Sequence, residues 1–346
     1  MVFFYPYGVA FIISILLVLF STPLVKTIGL NRGYFDHPGE RKIHDKPIVR
    51  LGGIAICLAT LTSCLIVGLF SDFTSLPSAK ILEFWGVIVG SFLFFIIGLT
   101  DDLFDLSPLT RLILQLGVAS LVWIVGVRIE FLPIPGFGLI PLGILSLPIT
   151  VIWLAGVVNA INWMDGLDGL AAGISGISAS ILLVICLSIH QPTAALIAAA
   201  LMASTIGFLR YNFHPAQIFM GDGGSYFIGF TLASLAVIGL MKTPDFSLVI
   251  LPFLVLAVPI LDMCIVILAR LSDGKSPFYA DRRHLHHRLL NRGLSQRLTV
   301  LFIYSLTLGV ASWAMVIIGV RGGIFYGLGA SGLMLYMSQY LGNKNN

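Results

Sequence analysis

Eleven apolar runs, most of them close to 20 residues long, leave this chain few ways to fold. They fall near 7–28, 49–70, 82–99, 110–127, 141–160, 169–189, 192–209, 225–241, 247–269, 299–319 and 323–340. About 20 apolar residues carry an α-helix across the hydrocarbon layer of a bilayer, roughly 30 Å thick. The runs do not alternate polar with apolar residues, so a transmembrane β-barrel is a poor fit. The expectation is an all-α, polytopic integral membrane bundle of about eleven transmembrane helices, forming one domain over 1–346. A re-entrant segment in the Gly- and Pro-rich stretch 131–148 is the alternative that would change the count. The first run has no basic leader or small-residue cleavage site and reads as a retained helix. Composition agrees: 58% of the 346 residues are hydrophobic and only 10% charged, against about 25% charged in soluble domains. The mean hydropathy is +0.99. A cytosolic globular enzyme and a disordered chain are both excluded, and a net charge of only +4 argues against a nucleic-acid partner. Cys57, Cys64, Cys186 and Cys264 all lie in apolar runs without CxxC spacing, so they read as packing residues.

The charges fall unevenly between the two sides of the bilayer. With eleven spans the termini lie on opposite sides, and 16 of the 20 Lys and Arg fall on the C-terminal side. Cytoplasmic loops carry the excess of Lys and Arg. The expected orientation is therefore N-terminus outside and C-terminus cytoplasmic. The cytoplasmic loops lie near 29–50, 100–110, 159–170, 210–225 and 270–298. Ten of the aspartates fall on that side, so the unusual chemistry is expected at the cytoplasmic face.

Four polar clusters stand out. In GLTDDLFDLSP, a helix through 101–105 would put Asp101 and Asp105 one turn apart with Asp102 beside them. Three carboxylates so close repel unless a cation or proton offsets them. Hard oxygen ligands suit Mg²⁺, with Mn²⁺ as the alternative. In NAINWMDGLDGLAAG, Asn159, Asn162, Asp165 and Asp168 recur every third residue. A straight helix would send Asn159 and Asp168 to opposite faces, so the helix is expected to end or break near 165 and turn these groups into one cleft. In FMGDGGS, Gly221, Gly223 and Gly224 surround Asp222, with Ser225 expected to open the next helix. Exposed amides at a helix start make an anion cradle, and an Asp there makes sense if it holds a cation shared with phosphates. Asp222 is expected in a solvent-facing turn. In DGKSPFYADRRHLHHRLLNRG, His284, His286 and His287 sit with Arg282, Arg283 and Arg288 in the longest cytoplasmic loop. These basic groups suit a polyanionic substrate, or simply enforce orientation. Adjacent His286 and His287 would diverge on a helix. The loop with Asp36, His37, Arg41, His44, Lys46 and Arg50 reads as a second cationic wall. Carboxylates, a metal and basic walls at a membrane surface point to phosphoryl chemistry on a lipid phosphate. A transporter of anionic solutes would place such groups near the bilayer midplane; here only Asp262 lies inside a run.

Taken in order, DDLFD, NAINWMDGLDGL, FMGDGGS and HLHHRL resemble the polyprenyl-phosphate N-acetylhexosamine-1-phosphate transferase family over about residues 20–300. The resemblance implies an integral bacterial inner-membrane enzyme that uses Mg²⁺ in a cytoplasmic cleft. It implies transfer of a sugar 1-phosphate from a UDP-sugar to undecaprenyl phosphate, with release of UMP, as the first step of a cell-envelope polysaccharide. HLHHRL is close to the HIHH form of the UDP-GlcNAc branch, with Leu285 in place of Ile. Relatives of that branch accept UDP-QuiNAc or UDP-FucNAc, while the UDP-MurNAc-pentapeptide enzymes usually carry three histidines. By the same resemblance, Asp101, Asp102 and Asp105 match the acidic motif, and Asp222, with Asp102, the metal site. Asn162, Asp165, Asp168 and Asn212 match nucleotide-side and cleft positions, and Asn159 opens the same motif. Phe219 matches a uracil-stacking aromatic, and Lys46 a basic residue of the first cytoplasmic loop. His284, His286, His287 and Arg288, with Arg282 and Arg283 beside them, match a loop over the sugar diphosphate. A homodimer is compatible with the family.

Overall fold

The computed structural model describes residues 5–36, 47–70, 77–134, 136–277, 279, 281–320 and 322–345. The chain is helical almost throughout. In order run α1 (Tyr5–Arg32), α2 (Gly52–Phe70), α3 (Ser78–Phe104), α4 (Pro108–Ile124), α5 (Ser146–Met164), α6 (Leu170–Ser188), α7 (Pro192–Asn212) and α8 (Gly221–Gly239). Then come α9 (Phe246–Val255), α10 (Ala257–Ser272), α11 (Leu285–Asn291), α12 (Gln296–Ile317) and α13 (Gly323–Asn345). Every apolar run coincides with a helix or, for 247–269, with the pair α9 and α10. Among the described residues, seven helices are long and apolar enough to span a membrane, and the α9–α10 pair, bent by 69°, makes up to eight. The protein is thus an all-α, polytopic membrane bundle. Helix α4, at 17 residues, is shorter.

Two small antiparallel ribbons interrupt the helices. Strand β1 (Phe35–Asp36) pairs with β2 (Ile48–Val49). Strand β3 (Phe131–Ile134) pairs with β4 (Gly138–Pro141), Phe131 opposite Pro141. Among the described residues between Val125 and Ser146 no helix re-enters the bilayer: 131–134 and 136–145 hold this hairpin and a single 3₁₀ turn. Proline and glycine in Phe131–Pro141 shorten and turn the chain before a helix can nucleate.

Helix α8 is the axis of the bundle. All its residues are buried except Asp222. It packs chiefly against α3 and α5, with α2, α7 and α6 around them. A Cβ on Gly98 would sit 2.2 Å from the carbonyl oxygen of Asp222, so only glycine lets α3 reach the start of α8. Deeper down, the rings of Phe94 and Phe230 stack 4.4 Å apart. Hydroxyls pair across helices, Ser91 with Thr231 at 2.9 Å and Thr60 with Ser204 at 2.8 Å, which suits interfaces lacking a strong hydrophobic drive. Large apolar side chains such as Ile12, Leu16 and Phe20 of α1 point outward. That surface is costly in water and natural in lipid. At the end of the bundle away from Asp222, Glu83 is buried and held by Lys242 at 2.6 Å and Lys80 at 3.1 Å. This clamp ties the start of α3 to the exit of α8.

Candidate active site

The bundle brings three of the four polar clusters to the N-terminal end of α8. The chain enters α8 through Gly221, whose φ is +73°. A Cβ there would meet the Arg50 carbonyl oxygen at 2.2 Å and a carboxylate oxygen of Asp102 at 2.5 Å, so the position admits only glycine. The helix begins at Gly221 itself, four residues before the expected Ser225. Asp222 therefore occupies its first turn, with its side chain only 20% exposed, and not a solvent-facing turn.

The amides of that first turn already hold an anion. Both carboxylate oxygens of Asp102 accept backbone N–H groups, Asp222 N to Oδ1 and Gly223 N to Oδ2, each at 2.9 Å. The expected phosphate cradle is thus capped from within. Asp102 is also 3.8 Å from the Arg50 guanidinium. Asp101 is buried and accepts from Leu106 N at 2.8 Å and from Arg111 at 2.5 Å. Arg111 Nη1 lies 3.5 Å from Asp222. Asp222 accepts from Asn162 Nδ2 at 2.8 Å, which also reaches the Ser225 hydroxyl at 3.0 Å. Asp105 does not join the pair: α3 ends at Phe104, and Asp105 lies exposed beyond it with φ +49°.

Helix α5 ends at Met164, as the Asn/Asp spacing required, and Asp165 caps it. The four polar residues nevertheless part company. Asn159 donates to Gln115 Oε1 and Ala155 O, each at 2.7 Å, and with Asn162 it lines the cleft. Asp168 turns away to accept from Ala216 N at 3.0 Å and meets His214 Nδ1 at 2.8 Å. The Asp165 carboxyl is pushed up to about 7, chiefly by burial, with Asp102 and Asp168 adding repulsion and Arg50 opposing them. Asn212 is buried and bridges loop backbones, accepting from Gly169 N at 3.1 Å and donating to Ile218 O at 3.0 Å. Phe219 is half-buried, its N–H donating to Val49 O at 2.8 Å. Lys46 lies outside the described residues.

A cleft of about 260 Å³ opens between α4, α5 and α10. Arg111, Asn159, Asn162, Trp163, Tyr226, Arg270, Asp281 and His284 line it with Pro108, Leu112 and Tyr279. The histidines do different things there. His284 faces the cleft, and its Nδ1 is 2.7 Å from Asp262. His286 is 1% exposed, stacks on His284 at 5.7 Å and packs against Gly166, where a Cβ would come within 2.5 Å of Nε2. Burial, and then His287 and His284, pull His286 down to about 3, so it stays neutral. His287 is only part-buried and is also lowered, mainly by burial. Arg283 bonds Asp273 and the Ala269 carbonyl, while Arg282 and Arg288 are exposed.

Several residues in or beside the cleft carried no motif. Arg111, Arg50 and Arg270 counted only as basic residues of the cytoplasmic side or wall, and Gln115 and Tyr226 sat unmarked in apolar runs. Asp262 gave the one usable signal, an acid inside a run and eight residues before Arg270. That spacing keeps both on one helix face.

Among the described residues, no group of three or more His, Cys, Asp and Glu is arranged to hold a metal by itself. The donor chemistry still suits Mg²⁺. Asp101 and Asp222 converge on one guanidinium nitrogen, Arg111 Nη1 lying 2.5 and 3.5 Å from them, and two carboxylates drawn this close are relieved by a further cation. Magnesium commonly takes one or two carboxylates and completes its shell with water and substrate phosphate.

Residues 84–240 match the family described as Glycosyl transferase family 4. A Bacillus subtilis (strain 168) protein named "Probable undecaprenyl-phosphate N-acetylglucosaminyl 1-phosphate transferase" is 40% identical over 297 residues, 86% of this chain and 80% of that one. A Mycolicibacterium smegmatis decaprenyl-phosphate N-acetylglucosaminephosphotransferase is 32% identical, covering 92% of this chain and 82% of its own. A Salmonella typhi undecaprenyl-phosphate alpha-N-acetylglucosaminyl 1-phosphate transferase is 30% identical, covering 79% and 74%. Similarity of this degree along most of both chains shows the family: this chain belongs to glycosyl transferase family 4, among the polyprenyl-phosphate N-acetylhexosamine-1-phosphate transferases.

Proposed function

We propose that this protein transfers GlcNAc 1-phosphate from UDP-GlcNAc to undecaprenyl phosphate, giving undecaprenyl-diphospho-GlcNAc and UMP. The observation that carries this reading is the meeting of Asp101, Asp102, Asp222, Asn162 and Arg111 at the head of α8, beside a cleft at the end of a membrane bundle. The names of the relatives supply the lipid and the sugar.

An oxygen of the lipid phosphate attacks the β-phosphorus of UDP-GlcNAc. A new P–O–P bond forms, the bond from the β-phosphorus to the bridging oxygen breaks, and UMP leaves with that oxygen. A phosphomonoester has its second pKa near 6, so the nucleophile is largely ionised at pH 7 and needs little help from a base. Arg111 and Arg50 offset charge on the phosphates, and Asn162 fixes the Asp222 carboxylate. Asp222, with Asp102 behind it, would hold Mg²⁺. When bound, the ion draws charge from the diphosphate and eases departure of UMP. Asp101, paired with Arg111, and Asp102, held by the α8 amides, shape the phosphate end of the site; Asp165 and Phe219 serve the nucleotide side, Asp168 and Asn212 brace the loops that carry them, and the 281–288 loop covers the sugar diphosphate.

Around this site the finer topology is eleven spans in the bacterial inner membrane, N-terminus outside, with the cleft at the cytoplasmic face. Purified protein in vesicles with undecaprenyl phosphate, Mg²⁺ and UDP-GlcNAc should release UMP. Release of UDP would mean ordinary glycosyl transfer and would defeat the reading. UDP-QuiNAc, UDP-FucNAc and UDP-MurNAc-pentapeptide in parallel identify the sugar.

A further inference from the structure

We infer that Asp262 is a positioning residue that fixes the tautomer and orientation of His284, leaving Nε2 of that histidine as an acceptor in the cleft for a hydroxyl or acetamido N–H of the sugar. The inference rests on the transfer reaction proposed above and adds a residue to it.

The geometry is specific. Helix α10 buries one stripe, Val258, Asp262, Val266 and Arg270, while Leu261, Ile265 and Leu268 stay exposed. A carboxylate on the buried face of an apolar helix is costly unless both oxygens are engaged. Here both are: Oδ1 accepts the backbone N–H of Leu285 at 2.7 Å, and Oδ2 meets His284 Nδ1 at 2.7 Å. An ionised carboxylate only accepts, so Nδ1 is the nitrogen that carries the proton. Nε2 then presents its lone pair, and among the described residues no hydrogen-bond partner meets it. The ring is held on its other sides as well. Trp163 meets it edge-on at 5.8 Å, and His286 lies parallel at 5.7 Å. The histidine side chain has no freedom to exchange its two nitrogens, and it lines the cleft.

The same face of α10 anchors the approach to this histidine. Arg270 bonds Asp281 at 3.0 and 3.2 Å and the Pro277 carbonyl at 2.5 Å. Asp262 fixes the point where the loop delivers His284. A carboxylate that orients an imaidazole in this way recurs in hydrolases and metal sites.

The substitution Asp262→Asn tests it. Asparagine keeps the size and can still accept from Leu285, but its amide donates to Nδ1 and drives the proton onto Nε2. In full-length protein with ¹⁵N-labelled histidine, assigned by comparison with His284→Gln, the wild type should show a protonated Nδ1. Asp262→Asn should show a protonated Nε2. In the UMP-release assay kcat should fall about 10- to 100-fold, the usual cost of losing an orienting partner, with KM for UDP-GlcNAc within about threefold. The double variant Asp262→Asn/His284→Gln should be no slower than His284→Gln alone. A wild-type Nε2–H tautomer, an unchanged tautomer in Asp262→Asn, or losses that multiply in the double variant would each overturn the inference. If Asp262→Asn does not fold, the wild-type tautomer still decides. If the wild type releases no UMP, the transfer reading fails while the tautomer measurement tests the anchor independently.

Discussion

Asp102 and Asp222 bring the same carboxylate to the same turn of helix, and their surroundings give them different work. Asp102 is engaged by two backbone amides and caps α8. Asp222 accepts from one side chain and lies near Arg111. Asp222→Asn should therefore lower turnover by several orders of magnitude, on the order of 10²- to 10³-fold or more as for loss of one preorganised electrostatic group, and weaken dependence on Mg²⁺. Asp245→Asn, at the N-cap of α9, should be nearly silent because Asn caps about as well as Asp. Normal Mg²⁺-dependent turnover in a stable Asp222→Asn protein would remove this residue from the site. Asp165 gives a pH test. Its folded pKa of about 7 lies above the ordinary aspartate value of 3.8, so the folded state binds the proton more tightly. Its contribution to stability is full below about pH 4 and is lost as pH rises through 7. Asp165→Asn, which cannot ionise, should match the wild type near pH 4 and gain on it up to pH 7, with no further change above. Thermal unfolding in detergent across that range reads the difference, and a gap independent of pH would refute the shift.

Among the elements, α10 links the bilayer to the cleft. Its bend of 69° from α9 lets one face carry Asp262 and Arg270 inward while the other stays apolar. Arg270 is 3% exposed and lies 4.9 Å over the Trp163 ring while bonding Asp281. The pair holds the Asp281 carboxyl below its usual range, since the Arg270 and Arg283 contacts outweigh burial. Arg270→Gln should free the loop without unfolding the bundle. Trypsin cleavage after Arg282 should then speed up by about tenfold, the factor for about 1.4 kcal/mol of lost anchoring, while the helical content stays constant. Equal cleavage rates would show that the loop is held by other contacts.

At the scale of the molecule, α8 is buried along its whole length except at Asp222, and the polar residues gather at that end. The Glu83 clamp closes the opposite end. The bundle is thus asymmetric along the membrane normal, as the charge ratio of 16 to 4 anticipates. On a background lacking the four cysteines, a cysteine at 275 should react with an impermeant thiol reagent only after cells are opened, and one at 245 should react in intact cells. Labelling of 275 from outside would reverse the orientation.

The helices were legible in the amino-acid order alone, because about 20 consecutive apolar residues have one economical way to satisfy their backbone in lipid. That order also marked Asp101, Asp102, Asn162 and Asp222, because polar residues beside such runs are costly without a use. The break after Met164 followed from a three-residue spacing that no straight helix could turn to one side. Which groups meet depended on the packing of the helices. Asp105 and Asp168 share motifs with cleft residues yet face elsewhere, since one residue past a helix end redirects a side chain. Arg111, Gln115 and Asp262 stand in no motif and enter the site through helix packing. The tertiary structure alone separated the cap from the cleft carboxylate and the three histidines from one another. Hydrogen-bond partners from distant segments, Gly223 for Asp102 and Asp262 for His284, set those roles, and no local pattern encodes a contact across 121 or 22 residues.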